Sequence, residues 1–215
     1  MSALRPTRWG SRAQDSGYTM VELVVAMGIF SVLLAVFAVT IENFTRATIV
    51  SVQTSDQSTQ ARTIFNLFDK QVRSSSAINR PVLVGGNWYV EFRTDAISPS
   101  TCTQWVLRTS TQTLAVRTWT TGVTAVSTPG SWRTLATDVS STGQPFTFTA
   151  GTTEVPNQQL AIDLRYRKGT GPVTSSRSTF TAQNTNVSTV TNADVNADGV
   201  SDTQVCRDIS NARPA

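Results

Sequence analysis

One uninterrupted apolar run constrains most strongly what this chain can fold into. From Leu23 to Ile41 the sequence contains no charged residue, and the acidic Glu22 stands immediately before the run. The stretch from Tyr18 to Ile41 is 24 residues long, and about 20 apolar residues suffice for a helix that spans a bilayer. A carboxylate at the edge of such a helix is costly in lipid, so Glu22 is a candidate functional residue.

Three other interpretations of this run are weaker. An ordinary secretory signal needs a small-residue cleavage site, and Ala35-Val36-Phe37-Ala38 is a poor one. A plain membrane anchor accounts for the length of the run, but not for Gly17 beside it or for Glu22 within the span. A buried core helix is disfavoured because an apolar run of this length is typical of a membrane span.

The run Gly17-Tyr18-Thr19-Met20-Val21-Glu22 resembles the class III signal of type IV prepilins and of the pseudopilins of type II secretion. In that family a prepilin peptidase cuts after the glycine and methylates the new N-terminus, and the acid serves assembly. The resemblance implies cleavage between Gly17 and Tyr18, N-methylation of Tyr18 and an assembly role for Glu22. It implies as partners the prepilin peptidase, other major and minor pilins, an inner-membrane assembly platform and, before assembly, the lipid bilayer.

The charges that flank the run predict its orientation. Arg5, Arg8 and Arg12 precede it and Glu42 follows it, so the positive-inside rule places the leader in the cytoplasm and the rest outside. We therefore expect a single-pass protein of the cytoplasmic membrane whose head later joins an extracellular or periplasmic filament. Loss of the leader removes three arginines and one aspartate, which lowers the formal charge from +4 to +2. The remaining arginines are scattered, which argues against a nucleic-acid-binding patch.

Beyond the span, apolar spacing predicts that the helix continues with an amphipathic second half. Apolar residues between Ala61 and Val72 recur at helical spacing, with polar and charged residues on the other face. The polar stretch Ser51–Ser58 predicts a bend, and Pro81 requires the helix to end before it. The apolar stripe of such a helix must be buried against another part of the chain.

Alternating apolar and polar residues predict antiparallel strands that can cover this stripe. The strand candidates are Trp88–Arg93, Trp105–Arg108, Leu114–Arg117, Phe146–Phe148 and Leu160–Arg167. Strands with one apolar face, packed on an amphipathic helix, make an α+β fold. Together with the resemblance, this predicts a pilin-like fold in which one long N-terminal helix packs on an antiparallel β-sheet head.

Five segments follow from this organisation. They are a cleaved basic leader (1–17), a transmembrane and assembly helix (18–41), an amphipathic helix (42–80), a β-rich head (81–180) and a polar tail rich in Thr, Asn and Asp (181–215). Ala61–Arg73 of the amphipathic helix, with Gln104–Arg108 and Leu114–Trp119 of the head, resemble the minor-pilin branch and its J-type pseudopilins. That branch implies a low-abundance subunit that starts a filament or caps its tip.

The two cysteines, Cys102 and Cys206, lie in the part of the chain predicted to be exported, where oxidation is possible. Their spacing suits no zinc site, and the chain contains no histidine that could complete one. We expect them to form a disulfide that pins the polar tail to the strand region. Two free thiols are the alternative.

The tail also contains a run of oxygen-bearing residues that matches the first part of a calcium-binding loop. Its candidate ligands, at loop positions 1, 3, 5, 7 and 9, are Asp194, Asn196, Asp198, Val200 and Asp202. Gly199 at position 6 permits a tight turn, but position 12 is Val205 where a bidentate Glu is usual. Asp208 is a candidate substitute, and a solvated loop without metal is the alternative. No cofactor other than calcium is predicted.

No catalytic residue is predicted. Without histidine, the chain cannot form a Ser-His-Asp triad or use a histidine as general base. Exposed positions in strands or loops explain the few carboxylates of the head, which include Glu91, Asp95 and Asp163. The sequence therefore predicts a structural protein with no small-molecule substrate.

The predicted function is that of a minor pilin in a type IV pilus-like filament, at its initiation or its tip. The first alternative is a minor pseudopilin of type II secretion. The second alternative is a membrane-anchored extracellular binding module, whose polar head would contact a surface, a nucleic acid or a partner protein. The sequence does not identify a tip ligand.

Overall fold

The computed structural model describes residues 17–96, 98–121, 130–169 and 171–206. Leader residues 1–16 and the end of the tail from 207 onward, with Asp208, lie outside the described residues. The chain divides into two compact units, Met1–Ile49 and Val50–Ala215.

One long helix, α1, extends from Met20 to Arg73. The predicted bend at Ser51–Ser58 does not end it. Hydroxyl groups in this part bond back to the preceding turn. The hydroxyl of Thr54 donates to the carbonyl of Val50 at 2.9 Å, and that of Ser58 to the carbonyl of Thr54 at 2.9 Å. Such bonds satisfy a polar side chain without ending a helix.

The helix ends seven residues before the end of the segment expected at 42–80, because other groups take its last carbonyls. Both the backbone N–H and the hydroxyl of Ser75 donate to the carbonyl of Val72. The backbone N–H of Gln183 donates to the carbonyl of Arg73. Bonds of this kind satisfy the carbonyl groups that the end of a helix leaves without partners.

In the first unit, the apolar side chains of α1 are exposed. Phe30 and Phe37, for example, are 61% and 64% exposed to solvent. Among the described residues, α1 alone is long and apolar enough to cross a membrane. A membrane-spanning helix and an N-terminal signal can both have this length and composition. The residues that flank the start of α1 must therefore distinguish between the two.

Within the described part of the second unit, ten strands form two antiparallel sheets. The first sheet contains β1 (Ala77–Ile78), β2 (Val82–Val84), β3 (Asn87–Thr94), β4 (Thr101–Arg108), β5 (Thr113–Thr120) and β6 (Arg133–Ala136). The second contains β7 (Val139–Ser140), β8 (Phe146–Thr149), β9 (Gln159–Tyr166) and β10 (Thr174–Thr181). A short 3₁₀ helix follows at Val190–Asn192. The α+β fold is confirmed, and its head has two sheets.

In the first sheet the strand order is β1-β3-β4-β5-β6, and β2 also pairs with β3. In the second the order is β10-β9-β7, and β8 also pairs with β9. Five strands coincide with the predicted ones: β3, β4, β5, β8 and β9. The other five are short or, in β10, rich in Ser and Thr, so they lack the apolar alternation that signals a strand.

The core of the second unit forms where α1 meets both sheets. Ala61, Ile64, Phe68 and Val72 are buried at helical spacing, as their apolar stripe predicts. Phe68 is fully buried and contacts rings from both sheets. Its ring neighbours are Phe92 at 6.2 Å and Trp105 at 4.9 Å in the first sheet, and Phe146 at 6.2 Å and Phe180 at 5.4 Å in the second. One side chain thus joins the helix to two sheets.

Candidate functional site

The predicted cleavage site lies just before α1, in a part of the backbone without regular structure. Gly17 and Tyr18 precede the first helical residue, Met20, and the Tyr18 side chain is 83% exposed. A Cβ atom added at Gly17 would have no atom within 4 Å, and the φ angle of Gly17 is not in the left-handed region. The fold therefore does not require glycine at position 17.

Glu22 lies in the first turn of α1, where it is exposed. Its backbone N–H donates to the hydroxyl of Thr19 at 3.2 Å, so Thr19 is the N-cap of the helix. The Thr19-x-x-Glu22 spacing is that of a capping box, a signal that our sequence analysis missed. A carboxylate in the first turn also stabilises a helix through its macrodipole. Glu22 therefore has a local role in addition to the assembly role predicted for it.

A disulfide joins Cys102 in β4 to Cys206, 104 residues later, with Cα atoms 5.5 Å apart. Beside it, the side-chain amide of Asn79 brackets the backbone of Val205. The N–H of Val205 donates to Asn79 Oδ1 at 2.9 Å, and Asn79 Nδ2 donates to the Val205 carbonyl at 2.8 Å. Both residues are buried. One covalent bond and two hydrogen bonds therefore hold the tail against the first sheet.

The same face of the first sheet contains a buried polar row that crosses three strands. Glu91, Gln104 and Arg117 are successive cross-strand neighbours. Gln104 Nε2 donates to Glu91 Oε1 at 2.6 Å, and Arg117 Nε donates to Gln104 Oε1 at 2.6 Å. The exposed position expected for Glu91 was wrong, since Glu91 is 1% exposed. Alternation with apolar residues placed it on the outer face, and only the tertiary structure shows that this face is covered.

Arginines and indoles are stacked beside this row. The Arg117 guanidinium lies 4.5 Å from the ring of Trp132 and 5.5 Å from that of Trp119, and the Arg108 guanidinium lies 5.2 Å from Trp132. Such cation–π contacts contribute about 0.5–2 kcal/mol, depending on burial. Both arginines therefore have structural contacts within the head.

The pKa values of Tyr166 and Asp95, both in the head, are shifted. Burial raises the pKa of the Tyr166 phenol, so that group stays neutral. Burial also acts to raise the pKa of Asp95, but hydrogen bonds from Ser100, Arg93 and Ser76 and the charge of Arg93 outweigh it and leave the pKa lowered. Asp95 is therefore a stable anion, and neither group has the pKa near neutrality that suits a general acid or base.

The candidate calcium loop folds back on itself. The N–H of Val195 donates to Asp202 Oδ2 at 2.8 Å, and that of Val200 donates to Asp198 Oδ1 at 2.8 Å. Asn196 Nδ2 donates to Asp198 Oδ2 at 2.9 Å. At the loop's start, Asp194 Oδ2 lies 3.6 Å from the guanidinium of Arg80. Among the described residues, no three acidic, histidine or cysteine groups are grouped so that they could hold a metal ion.

Calcium binding at this loop therefore stays a prediction. If the loop binds calcium, the ion should slow proteolytic cleavage between residues 194 and 202. Binding stabilises the folded loop, so the loop unfolds less often into a form that a protease can cut. Limited proteolysis of the full chain in calcium and in chelator measures this. Asp198→Asn, which keeps the shape of the side chain but loses its charge, should reduce the protection. Identical cleavage patterns in calcium and in chelator would remove the metal from this loop.

Residues 12–38 match a family model described as the prokaryotic N-terminal methylation motif. The matched residues include Gly17, Tyr18 and Glu22 and end within the apolar run. No curated protein and no solved structure matches the chain. The match confirms the class III signal, whereas the minor-pilin branch stays a prediction. In residues 12–38, the chain carries the processing and methylation signal of type IV pilins and pseudopilins.

Proposed function

We propose that this pilin-like protein is a minor pilin of a type IV pilus-like filament, with a structural role at filament initiation or at the tip. The observation that carries the proposal is the match of residues 12–38, which span Gly17, Glu22 and the apolar start of α1. Its motif is that of structural proteins that are cut by prepilin peptidase, anchored by one helix and assembled with other pilins. The minor role is supported by the resemblance of Ala61–Arg73, Gln104–Arg108 and Leu114–Trp119 to the minor-pilin branch.

The geometry suggests how processing prepares the subunit. Cleavage after Gly17 leaves Tyr18 and Thr19 before the helix. The new amino group then belongs to Tyr18, four residues before Glu22. Before assembly the apolar side chains of α1 lie in lipid. Because lipid tails are as apolar as these side chains, association with other pilin helices gains little from the hydrophobic effect and depends on packing and polar contacts. Glu22 supplies the polar contact.

Experiments can distinguish a minor pilin from two alternatives. A minor pseudopilin of type II secretion would share the signal and the processing, and the genes that neighbour this one would distinguish it from a pilus subunit. A membrane-anchored extracellular binding module would retain its leader. In all three cases we propose that the leader faces the cytoplasm, because Arg5, Arg8 and Arg12 precede the span.

Gly17→Val is expected to abolish processing and to leave the full-length precursor in the membrane. The substitution meets no atom in the fold, so its effect should come from the peptidase. Mass spectrometry of the N-terminus from native cells should find methylated Tyr18 in the wild type and Met1 or Ser2 in the variant. Gly28→Val is the matched control, since a Cβ atom at Gly28 also meets nothing within 4 Å.

Three results would contradict the proposal. A wild-type protein that retains residues 1–17 would be a plain anchor, and one that begins after Ala38 would be an ordinary secreted protein. Normal processing of Gly17→Val would show that the glycine is not read by the peptidase.

A further inference from the structure

One long strand of the second sheet has an open edge. Among the described residues, β10 pairs with β9 alone, along all eight of its residues. About half of the backbone N–H and C=O groups of such a strand point away from its neighbour and are free to pair with another chain. Proteins commonly protect such edges with proline or several charges, and β10 contains no proline and one charged residue, Arg177.

The open edge of β10 lies beside the second half of α1. The hydroxyl of Thr174, at the start of β10, donates to Gln57 Oε1 at 2.9 Å. Near its end, the Phe180 ring lies 6.1 Å from the ring of Phe65. Helix and strand therefore run side by side in the same direction.

Between these two contacts, a groove of about 420 Å³ lies along the helix and the strand. Its helix side is the stripe Ser58, Ala61, Arg62 and Phe65, and its strand side is 174–177 of β10. Residues spaced three and four apart share one face of a helix. A strand added beside β10 would therefore lie over this stripe, with Ala61 and Phe65 beneath it.

The charge of the groove selects the kind of segment that fits it. Arg62 and Arg177 both line it, and among the described residues no acidic side chain does so. Asp163, opposite Arg177 on β9, lies 3.9 Å from that guanidinium, and the Arg177 side chain is still 71% exposed. Arg177 projects from the outer face of β10, because it alternates with Thr174 and Phe180, which contact α1. An added strand that turns its apolar side chains towards α1 would therefore present carboxylates on the same outer face as Arg177, in the groove that Arg62 also lines. A strand with lysines at these positions would be repelled.

We propose that this groove binds an extended acidic segment of a partner protein, which pairs with the open edge of β10. The main-chain hydrogen bonds supply affinity, and the two arginines with the apolar floor supply selectivity. The site is independent of the processing signal, so it can be present or absent whatever the outcome of the Gly17 experiment.

The test uses the full chain in neutral detergent and two fluorescent ten-residue peptides, one of alternating valine and glutamate and one of alternating valine and lysine. Fluorescence anisotropy should show that the glutamate peptide binds about tenfold or more tightly than the lysine peptide, as expected for two partly exposed ion pairs. Hydrogen exchange should slow in the peptide fragment that covers Thr174–Thr181, because strand pairing protects its amides. A central proline in the glutamate peptide should abolish binding.

Charge reversal separates this site from general attraction to a basic protein. Arg62→Glu with Arg177→Glu should reverse the peptide preference, whereas Arg133→Glu, an exposed arginine on β6, should leave it unchanged. The proposal is wrong if neither peptide binds, if both bind alike, or if binding leaves the exchange of β10 unchanged. Self-association of the chain that disappears in the double variant would assign the groove to a second copy and would also overturn the proposal.

Discussion

Glu22→Ala is expected to permit cleavage after Gly17 and residence in the membrane, yet to block entry into filaments. After cleavage, Tyr18 carries a new positive amino group. The pilin resemblance sets Glu22 against the N-terminus of a neighbouring subunit, within a core of packed apolar helices. Loss of one partner of a buried ion pair costs about 3–5 kcal/mol because the other charge is left uncompensated. Such a cost lowers incorporation by a factor of about one hundred to several thousand.

Because Glu22 also lies in the first turn of α1, where its N–H donates to the N-cap Thr19, the experiment must separate capping from charge. Glu22→Gln keeps a side chain that suits the third position of a capping box but loses the charge, and it should fail in assembly almost as Glu22→Ala does. Thr19→Ala removes the cap, at a cost of about 0.5–2 kcal/mol, but keeps the carboxylate, and it should still assemble. Glu22→Asp should be intermediate, because its carboxylate is one methylene shorter.

Quantitative immunoblots of purified filaments measure incorporation, with mass spectrometry of the N-terminus as the control for processing. Wild-type incorporation of Glu22→Gln would show that the charge does not set the register of the subunit. Failure of Thr19→Ala with normal assembly of Glu22→Gln would assign the effect to the helix cap.

Phe68→Ala is expected to destabilise the second unit by about 3–5 kcal/mol, which is typical of a buried phenylalanine. Small domains have total free energies of unfolding of about 5–15 kcal/mol, so this one change removes a large part of the stability. The reason is its position: the ring is fully buried and contacts Phe92, Trp105, Phe146 and Phe180. Its loss leaves a cavity where α1 and both sheets meet.

Urea unfolding of the full chain in detergent, followed by near-ultraviolet circular dichroism, measures this loss. Phe65→Ala is the matched control, because Phe65 is one turn away on the same helix and only partly buried. Its cost should be less than half that of Phe68→Ala. Equal costs for the two variants would show that Phe68 is not the residue that joins the sheets to the helix.

The strands of the head differ in how strongly their own residues predict them. β9 was predicted because Leu160, Ile162 and Leu164 alternate with polar residues, and all three are buried. β10 was not predicted, because its eight residues are mostly Ser and Thr and carry no apolar alternation. It forms because β9 offers it a partner along its full length. Pairing with a distant strand is a tertiary effect that local periodicity does not contain.

The same difference applies to the candidate sites. The signal at Gly17 to Glu22 is local in the chain, so consecutive residues suffice to identify it. The buried row Glu91, Gln104 and Arg117 is not local, because the three residues are brought together by strand register and covered by the returning tail. Glu91 was consequently assigned to an exposed position.

The sequence by itself determined the long apolar helix, the N-terminal methylation motif and the antiparallel class of the head. These depend on charge, apolar length and residue alternation, which are properties of consecutive residues. Only the tertiary structure decided that the strands form two sheets, that Phe68 joins them, and that β10 keeps an open edge beside Arg62. The physical reason is that burial and strand pairing are set by residues far apart in the chain, whose contacts exist only once the whole unit has folded.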